Sequence, residues 1–293
     1  MSAALVAGET IGLGQVVLDG DQVYWSEQRP RESGRNAIVR TTVSGNEDLL
    51  PVPFSARSRV HEYGGGAFTA ARDSLFFCHD LDQRVYRRNA DGEIVALTPE
   101  SPSRYADLTP DVGRARLYSV REQHAGESEP RNTLVTIDWR AGSAPRTLVA
   151  GHDFYSSPRL APDGRTLAWL AWNHPDMPWD GTELWLARID VDGQLDTPQR
   201  IAGGAGEAVA QPLFAPDGTL YFVSDRNDWW NLYRWQQGRI EPVLEMAAEF
   251  AVPHWVFGQS NYAFLSAREI VCAYGQNGRW RLGRLDAARA KLA

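Results

Sequence analysis

Pro162-Asp163-Gly164-Arg165-Thr166-Leu167-Ala168-Trp169-Leu170 is the stretch on which the reading of this 293-residue chain turns. Pro-Asp-Gly makes a tight turn, because Gly adopts positive backbone torsions freely and Asp tolerates them. The alternation that follows is that of a half-buried antiparallel strand. A second short strand comes next, Glu183-Leu184-Trp185-Leu186-Ala187-Arg188. The same order returns at Pro216-Asp217-Gly218-Thr219-Leu220-Tyr221-Phe222-Val223 and Asn231-Leu232-Tyr233-Arg234-Trp235. Such a unit cannot bury both faces alone, so its repetition is the first clue to the architecture.

Outward from there, six copies can be traced. With Asp19, Arg72, Val112, Asp163, Asp217 and Gln259 as turn markers, successive copies lie 40 to 54 residues apart. That length suits a four-stranded blade with loops of varying size. The sequence therefore predicts one all-β domain over residues 1–293. It is a β-propeller of four-stranded antiparallel blades at about 12–53, 60–100, 104–151, 154–204, 207–246 and 250–287. The sixth copy is the most worn, and its strands are read from Trp255-Val256-Phe257 onward. Residues 286–292 are the one candidate for an amphipathic helix. A two-sheet sandwich shares the strand spacing but does not repeat turn and strand in fixed order.

Composition narrows the function classes. A hydrophobic content of 43% supports a substantial core, and eleven tryptophans suit the flat spaces between stacked sheets. The formal charge of −7 argues against a nucleic-acid or anionic-membrane binder. No apolar run is long enough to span a bilayer, and residues 1–9 lack the basic and apolar segments of a secretory signal. Cys78 and Cys272 each sit in an apolar strand-like run and read as small core residues. A cytoplasmic location is expected.

Four stretches go beyond generic blade chemistry. They are Gly12-Leu13-Gly14-Gln15 with Tyr24-Trp25-Ser26-Glu27 and Gly34-Arg35-Asn36; Val60-His61-Glu62-Tyr63-Gly64-Gly65-Gly66-Ala67-Phe68; Trp172-Asn173-His174-Pro175-Asp176-Met177-Pro178-Trp179-Asp180-Gly181-Thr182-Glu183-Leu184-Trp185; and Ser224-Asp225-Arg226-Asn227-Asp228-Trp229-Trp230-Asn231-Leu232-Tyr233-Arg234. Together, over about residues 12–285, they resemble the N-terminal propeller of the prolyl oligopeptidase family of serine peptidases, in its acylaminoacyl-/dipeptidyl-peptidase branch. The resemblance implies a propeller, usually seven-bladed, capping a C-terminal α/β-hydrolase domain with a Ser–Asp–His triad. The sequence departs from that pattern. It holds no Gly-x-Ser-x-Gly elbow, the nearest stretch being Gly258-Gln259-Ser260-Asn261-Tyr262, and no strand–helix alternation for a hydrolase sheet. The chain reads as the propeller portion alone, an excised domain or a short product.

Glu62 is the leading candidate site residue. It follows His61 and precedes three glycines, at the start of the second blade's innermost strand. Two readings are open. In one, Glu62 stands at the channel mouth and holds a substrate amino group or an arginine of the other domain. Alternatively, His61 and Glu62 cap the turn while the glycines permit close backbone approach. Tyr63, Arg104, Tyr105, Asp153, Tyr155, Glu207 and His254 begin other innermost strands and are candidates for the same mouth, the tyrosines having the alternative of packing between blades. His174, Asp176, Asp180 and Glu183 crowd one loop, but Pro175 and Pro178 break it and the spacing lacks the convergence a metal needs. No cofactor or metal is expected.

Three functions follow. The first is a non-catalytic propeller that gates and selects short peptides for a hydrolase domain normally in the same chain. Exposure of the surface that domain would cover predicts self-association. The second is a free-standing binding scaffold, similar to the Tol-type propeller. The third is a metal-dependent lactonase-type propeller using Glu62, Asp107 and Asp153.

Overall fold

The computed structural model describes residues 10–126 and 128–293. The N-terminal stretch read above for a leader lies outside the described residues. Among the described residues, apart from one 3-10 turn, Pro30–Glu32, the regular structure is strand. Blade 1 holds β1 (Gly12–Asp19), β2 (Gln22–Arg29), β3 (Arg35–Thr42) and β4 (Gly45–Asp48). Blade 2 holds β5 (Phe68–Ala71), β6 (Ser74–Cys78), β7 (Val85–Arg88) and β8 (Ile94–Ala96). Blade 3 holds β9 (Ser103–Asp111), β10 (Arg116–Gln123), β11 (Arg131–Asp138) and β12 (Arg146–Val149). Blade 4 holds β13 (Phe154–Leu160), β14 (Thr166–Trp172), β15 (Glu183–Arg188) and β16 (Gln199–Gly203). Blade 5 holds β17 (Val209–Phe214), β18 (Leu220–Ser224), β19 (Asn231–Gln236) and β20 (Arg239–Leu244). Blade 6 holds β21 (Tyr262–Phe264), β22 (Glu269–Gln276), β23 (Arg279–Asp286) and β24 (Lys291–Leu292). Each blade is a four-stranded meander, and the fold is an all-β propeller of six such blades. The chain divides into two compact units, Met1–Pro130 with Thr136–Arg146 and Arg131–Val135 with Thr147–Ala293.

The turn chemistry works as read. Asp163 Oδ1 accepts from Arg165 N at 2.9 Å, and Asp217 Oδ1 accepts from Thr219 N at 3.0 Å. Gly164 and Gly218 take positive φ at the next position. Blade 6 lacks this punctuation, and there the sequence reading needs correction. Its first turn lies between Phe264 and Glu269, where Leu265 N and Ser266 N donate to Glu269 O, and not at Gln259. Trp255-Val256-Phe257 precedes the blade's first strand. Residues 286–292 form a strand hairpin instead of a helix: Asp286 Oδ1 receives Ala288 N and Arg289 N, and Leu285 pairs with Leu292 across β23 and β24.

The cores lie between adjacent blades. In the first unit, Tyr24, Ile38, Leu50, Phe68, Leu75 and Phe77 are buried together from blades 1 and 2. In the second, Leu170 and Leu184 pack with Val209, Phe222 and Tyr233, and a further cluster joins Tyr221, Leu232 and Phe250 to Tyr262, Ile270 and Leu285. Each fully buried side chain of this size contributes about 1.5–3 kcal/mol. Cys78 and Cys272 are free and buried, and burial pushes the Cys272 thiol up to about 11. Tryptophan is divided between roles: Trp169 is 1% exposed, whereas Trp255 and Trp280 are 51% exposed.

Two features of the innermost strands recur. The pairing of β1, β9, β13 and β17 with their neighbours is interrupted by a bulge. At three of these bulges a non-glycine residue is left-handed: Asp107 (φ 55°), Ser157 (φ 53°) and Gln211 (φ 47°). Bulge side chains also reach the next blade. Gln15 Nε2 donates to Phe68 O at 3.0 Å, and Gln211 Nε2 donates to Tyr262 O at 2.8 Å.

Candidate functional site at the leading ends of the blades

In an antiparallel meander, the end of the second strand lies beside the start of the first. Gly12 pairs with Gln28, Phe154 with Trp172 and Val209 with Ser224. All four distinctive stretches therefore fall at the same end of their own blades, where the innermost strand begins.

The densest of these places is in the first unit. Residues 59–64 turn sharply, with Glu62 N bonded to Arg59 O and Gly64 N to Val60 O. His61 and Glu62 are both left-handed (φ 54° and 62°), a conformation costing of order 1–3 kcal/mol at a non-glycine residue. Neighbours hold them there. Glu122 Oε2 accepts His61 N at 2.7 Å, and Ser58 Oγ donates to Tyr105 O at 2.7 Å while receiving Val60 N. Gly64 lies so close to the Ser58 carbonyl that no side chain fits.

Arg104 and Glu122 are register partners on β9 and β10. Arg104 Nη1 meets three acceptors: Arg59 O at 2.8 Å, Glu62 Oε1 at 2.5 Å and Glu122 Oε1 at 3.3 Å. His124 Nε2 lies 2.7 Å from the same Glu122 oxygen. The Glu62 side chain is 75% exposed and that of Glu122 is 5% exposed. The bond to Arg104, aided by its charge and those of His124 and Arg59, holds the Glu62 carboxyl below the usual range. Three acceptors around one nitrogen is the arrangement that suits a primary ammonium group, which has three donors to offer.

The other candidates are placed differently. Tyr63 is exposed. Tyr105 and Tyr155 are buried, and burial raises both phenols, so neither ring is a surface group. Tyr155 OH receives His152 N at 2.9 Å, within its own blade. Asp107 is buried at the β9 bulge. In the second unit, Glu207 Oε1 receives Arg226 Nη2 at 2.6 Å and Ser224 Oγ at 2.7 Å, so Asp225-Arg226 ties two loops of one blade together. His254 is half-buried in the segment before β21. Asp153 Oδ2 receives His174 N at 3.0 Å and lies 3.1 Å from His174 Nδ1, and the backbone bond leads in holding its carboxyl low. Glu183 is taken by Arg200 and Trp185, and Asp180 by Met177 N. Trp179 packs against Trp255, the rings tilted by 47° with centroids 4.4 Å apart. Among the described residues no three His, Cys, Asp or Glu side chains converge as metal ligands.

Glu122 and His124 escape a reading by sequence. They lie some sixty residues beyond Glu62, and their signal is only an i, i+2 acid–histidine pair at the end of the strand opposite Arg104.

No family model matches the sequence, and no curated protein does. Solved structures match throughout. A puromycin-hydrolyzing peptidase from Mycobacterium tuberculosis shares 36% identity and a TM-score of 0.92, over 100% of this chain and 48% of that one. A puromycin hydrolase shares 37% identity and a TM-score of 0.91, with the same coverage. Prolyl oligopeptidase B from Galerina marginata, at 11% identity and a TM-score of 0.65 over 97% of this chain and 44% of its own, shares the fold alone. The chain thus spans about half the length of these solved structures. With more than a third of its residues identical along its whole length, the chain belongs to the prolyl oligopeptidase family, as the counterpart of its β-propeller portion.

Proposed function

We propose that this chain selects short peptides for a serine peptidase of the acylaminoacyl-/dipeptidyl-peptidase branch, in the cytoplasm, with bond cleavage performed by α/β-hydrolase sequence outside these 293 residues. The observation that carries this reading is the convergence of Arg59 O, Glu62 and Glu122 on Arg104 Nη1. A peptide's N-terminal ammonium presents the same charge, and the exposed carboxylate of Glu62 is the member of the group open to it. Coverage of about half of each puromycin-hydrolysing relative supports a division of labour between this portion and the remainder.

The test is a chimera in which this propeller replaces that of a puromycin hydrolase. The chain alone is expected to be inert toward aminoacyl chromogenic substrates and the chimera active. Glu62→Gln in the chimera should raise KM about tenfold with kcat within about twofold, as expected for lost binding of a charged group. Turnover by the chain alone that a serine-directed inhibitor abolishes would overturn the reading, as would a chimera indifferent to Glu62.

A second reading concerns copies of the chain. Blade 1 exposes Leu13 (78%), Val16 (61%) and Leu18 (67%) along β1, and blade 6 exposes Trp280 (51%) and Leu282 (81%) along β23. Residues 262–293 carry six basic and two acidic side chains, whereas residues 12–48 carry four basic and six acidic. Opposite charge and exposed apolar faces favour head-to-tail association, blade 6 of one copy on blade 1 of the next.

A further inference from the structure

Glu122 is built into the site far more firmly than Glu62. It is 4% exposed, one oxygen is fixed by the His61 amide, and the other lies within 2.7 Å of His124 Nε2. That second oxygen is also 3.3 Å from Arg104 Nη1, looser than the 2.5 Å contact between the same nitrogen and Glu62. The guanidinium thus has one carboxylate in hand and another at the edge of bonding distance.

An ammonium group that takes Glu62 Oε1 competes with Arg104 for that oxygen. Arg104 is half-buried, and a guanidinium stripped of its carboxylate there is costly. Resting on the ammonium reading above, we propose that Glu122 is a positioning residue, the alternative partner onto which Arg104 moves when Glu62 is occupied. The movement is less than an ångström along a contact already formed. It keeps the cation paired and lets Glu62 change partners without a charge being left alone. The Arg59 carbonyl, bonded to the same nitrogen at 2.8 Å, is the pivot. Arg59 itself faces Asp80, and its ion pair does not compete for Glu122.

The test uses the full chain, glycylglycinamide as the ammonium probe and its N-acetylated form as control. Affinity is read by calorimetry, and Arg104 is followed through its Nε–H resonance. The wild-type chain is expected to bind the probe and not the control, and Glu122→Gln to bind about tenfold more weakly, since Gln preserves the bond to His61 N but offers Arg104 no charge. Equal affinity in the two would overturn the proposal while leaving the role of Glu62 intact. If neither binds, the ammonium reading fails and Glu62→Gln decides the present one. Removing that charge should move Arg104 onto Glu122, shifting its Nε–H resonance in Glu62→Gln, and the shift should vanish in Glu62→Gln/Glu122→Gln. An Arg104 resonance unmoved by Glu62→Gln would overturn it.

Discussion

Gln211 and Tyr262 are bonded to each other twice. Gln211 Nε2 donates to the Tyr262 carbonyl at 2.8 Å, and the Tyr262 hydroxyl donates to the Gln211 carbonyl at 2.8 Å. Gln211 also receives Asn261 N and donates to Ser260 Oγ. Both residues are nearly fully buried, so blades 5 and 6 are joined by a polar clasp inside an apolar seam.

Removing the Gln211 side chain leaves Asn261 N without this acceptor, while the Tyr262 carbonyl keeps Ser260 Oγ and the Tyr262 hydroxyl keeps the Gln211 main-chain carbonyl. Gln211→Ala is expected to cost about 1–3 kcal/mol, the cost of one orphaned group. A fall in the urea midpoint checks this. Gln15→Ala, which removes a single bond made from a half-buried side chain, should cost about 1 kcal/mol.

Gly64 and Gly20 both take positive φ, at 69° and 56°. They differ in surroundings, because a Cβ on Gly64 runs into the Ser58 carbonyl and one on Gly20 meets open space. Gly20→Ala should cost about 1 kcal/mol, the left-handed penalty alone. Gly64→Ala adds a backbone collision and should cost at least about 3 kcal/mol, seen as a much larger drop in Tm.

Asp225 carries a pH signature. Burial raises its carboxyl above the usual range, against the lowering influence of the bond from Ala208 N. A folded-state value above the unfolded one means that the ionised form costs stability; the cost is full above the folded value, shrinks as pH falls below it and is gone below the unfolded value. Asp225→Asn keeps an acceptor for Ala208 N and removes the charge. The variant should be more stable than wild type at pH 7, with the difference closing in acid. Denaturant melts at pH 7 and pH 4 test the sign.

Self-association should depend on the exposed side chains of both β1 and β23. The wild-type chain is expected to grow in mass with concentration in sedimentation experiments. Leu282→Asp and Leu18→Asp should each stop growth, and an equimolar mixture of the two should recover a dimer, since each retains the face the other lacks. Monomeric wild-type protein at 100 µM, an order-of-magnitude ceiling for specific pairing, would refute it.

Much of the fold was legible because its punctuation is local. Asp163-Gly164 and Asp217-Gly218 set their turns through bonds two residues long. Where a turn uses Ser266 and Glu269 in place of Asp-Gly, the reading slipped, and it slipped again at residues 286–292, where a short hairpin imitates helical spacing. The site was half legible. Glu62 stands out beside the glycines that its turn requires, and Arg104 lies at a strand start. Glu122 and His124 become neighbours of Glu62 only through the pairing of β9 with β10, which no local pattern encodes. For Tyr105 and Tyr155 the sequence left two placements open, because position in a strand does not say which face a ring takes, and the structure buries both rings.

The kinked innermost strands carry an evolutionary corollary. At β1 and β17 the residue that breaks the ladder is also the one whose side chain grips the following sheet. Kink and grip are written into one glutamine, so a gene duplication that copies a blade copies its coupling to whatever comes after. Arrays built this way can lengthen by tandem copying without inventing a new joint, and drift in the copied surface leaves the joint in working order.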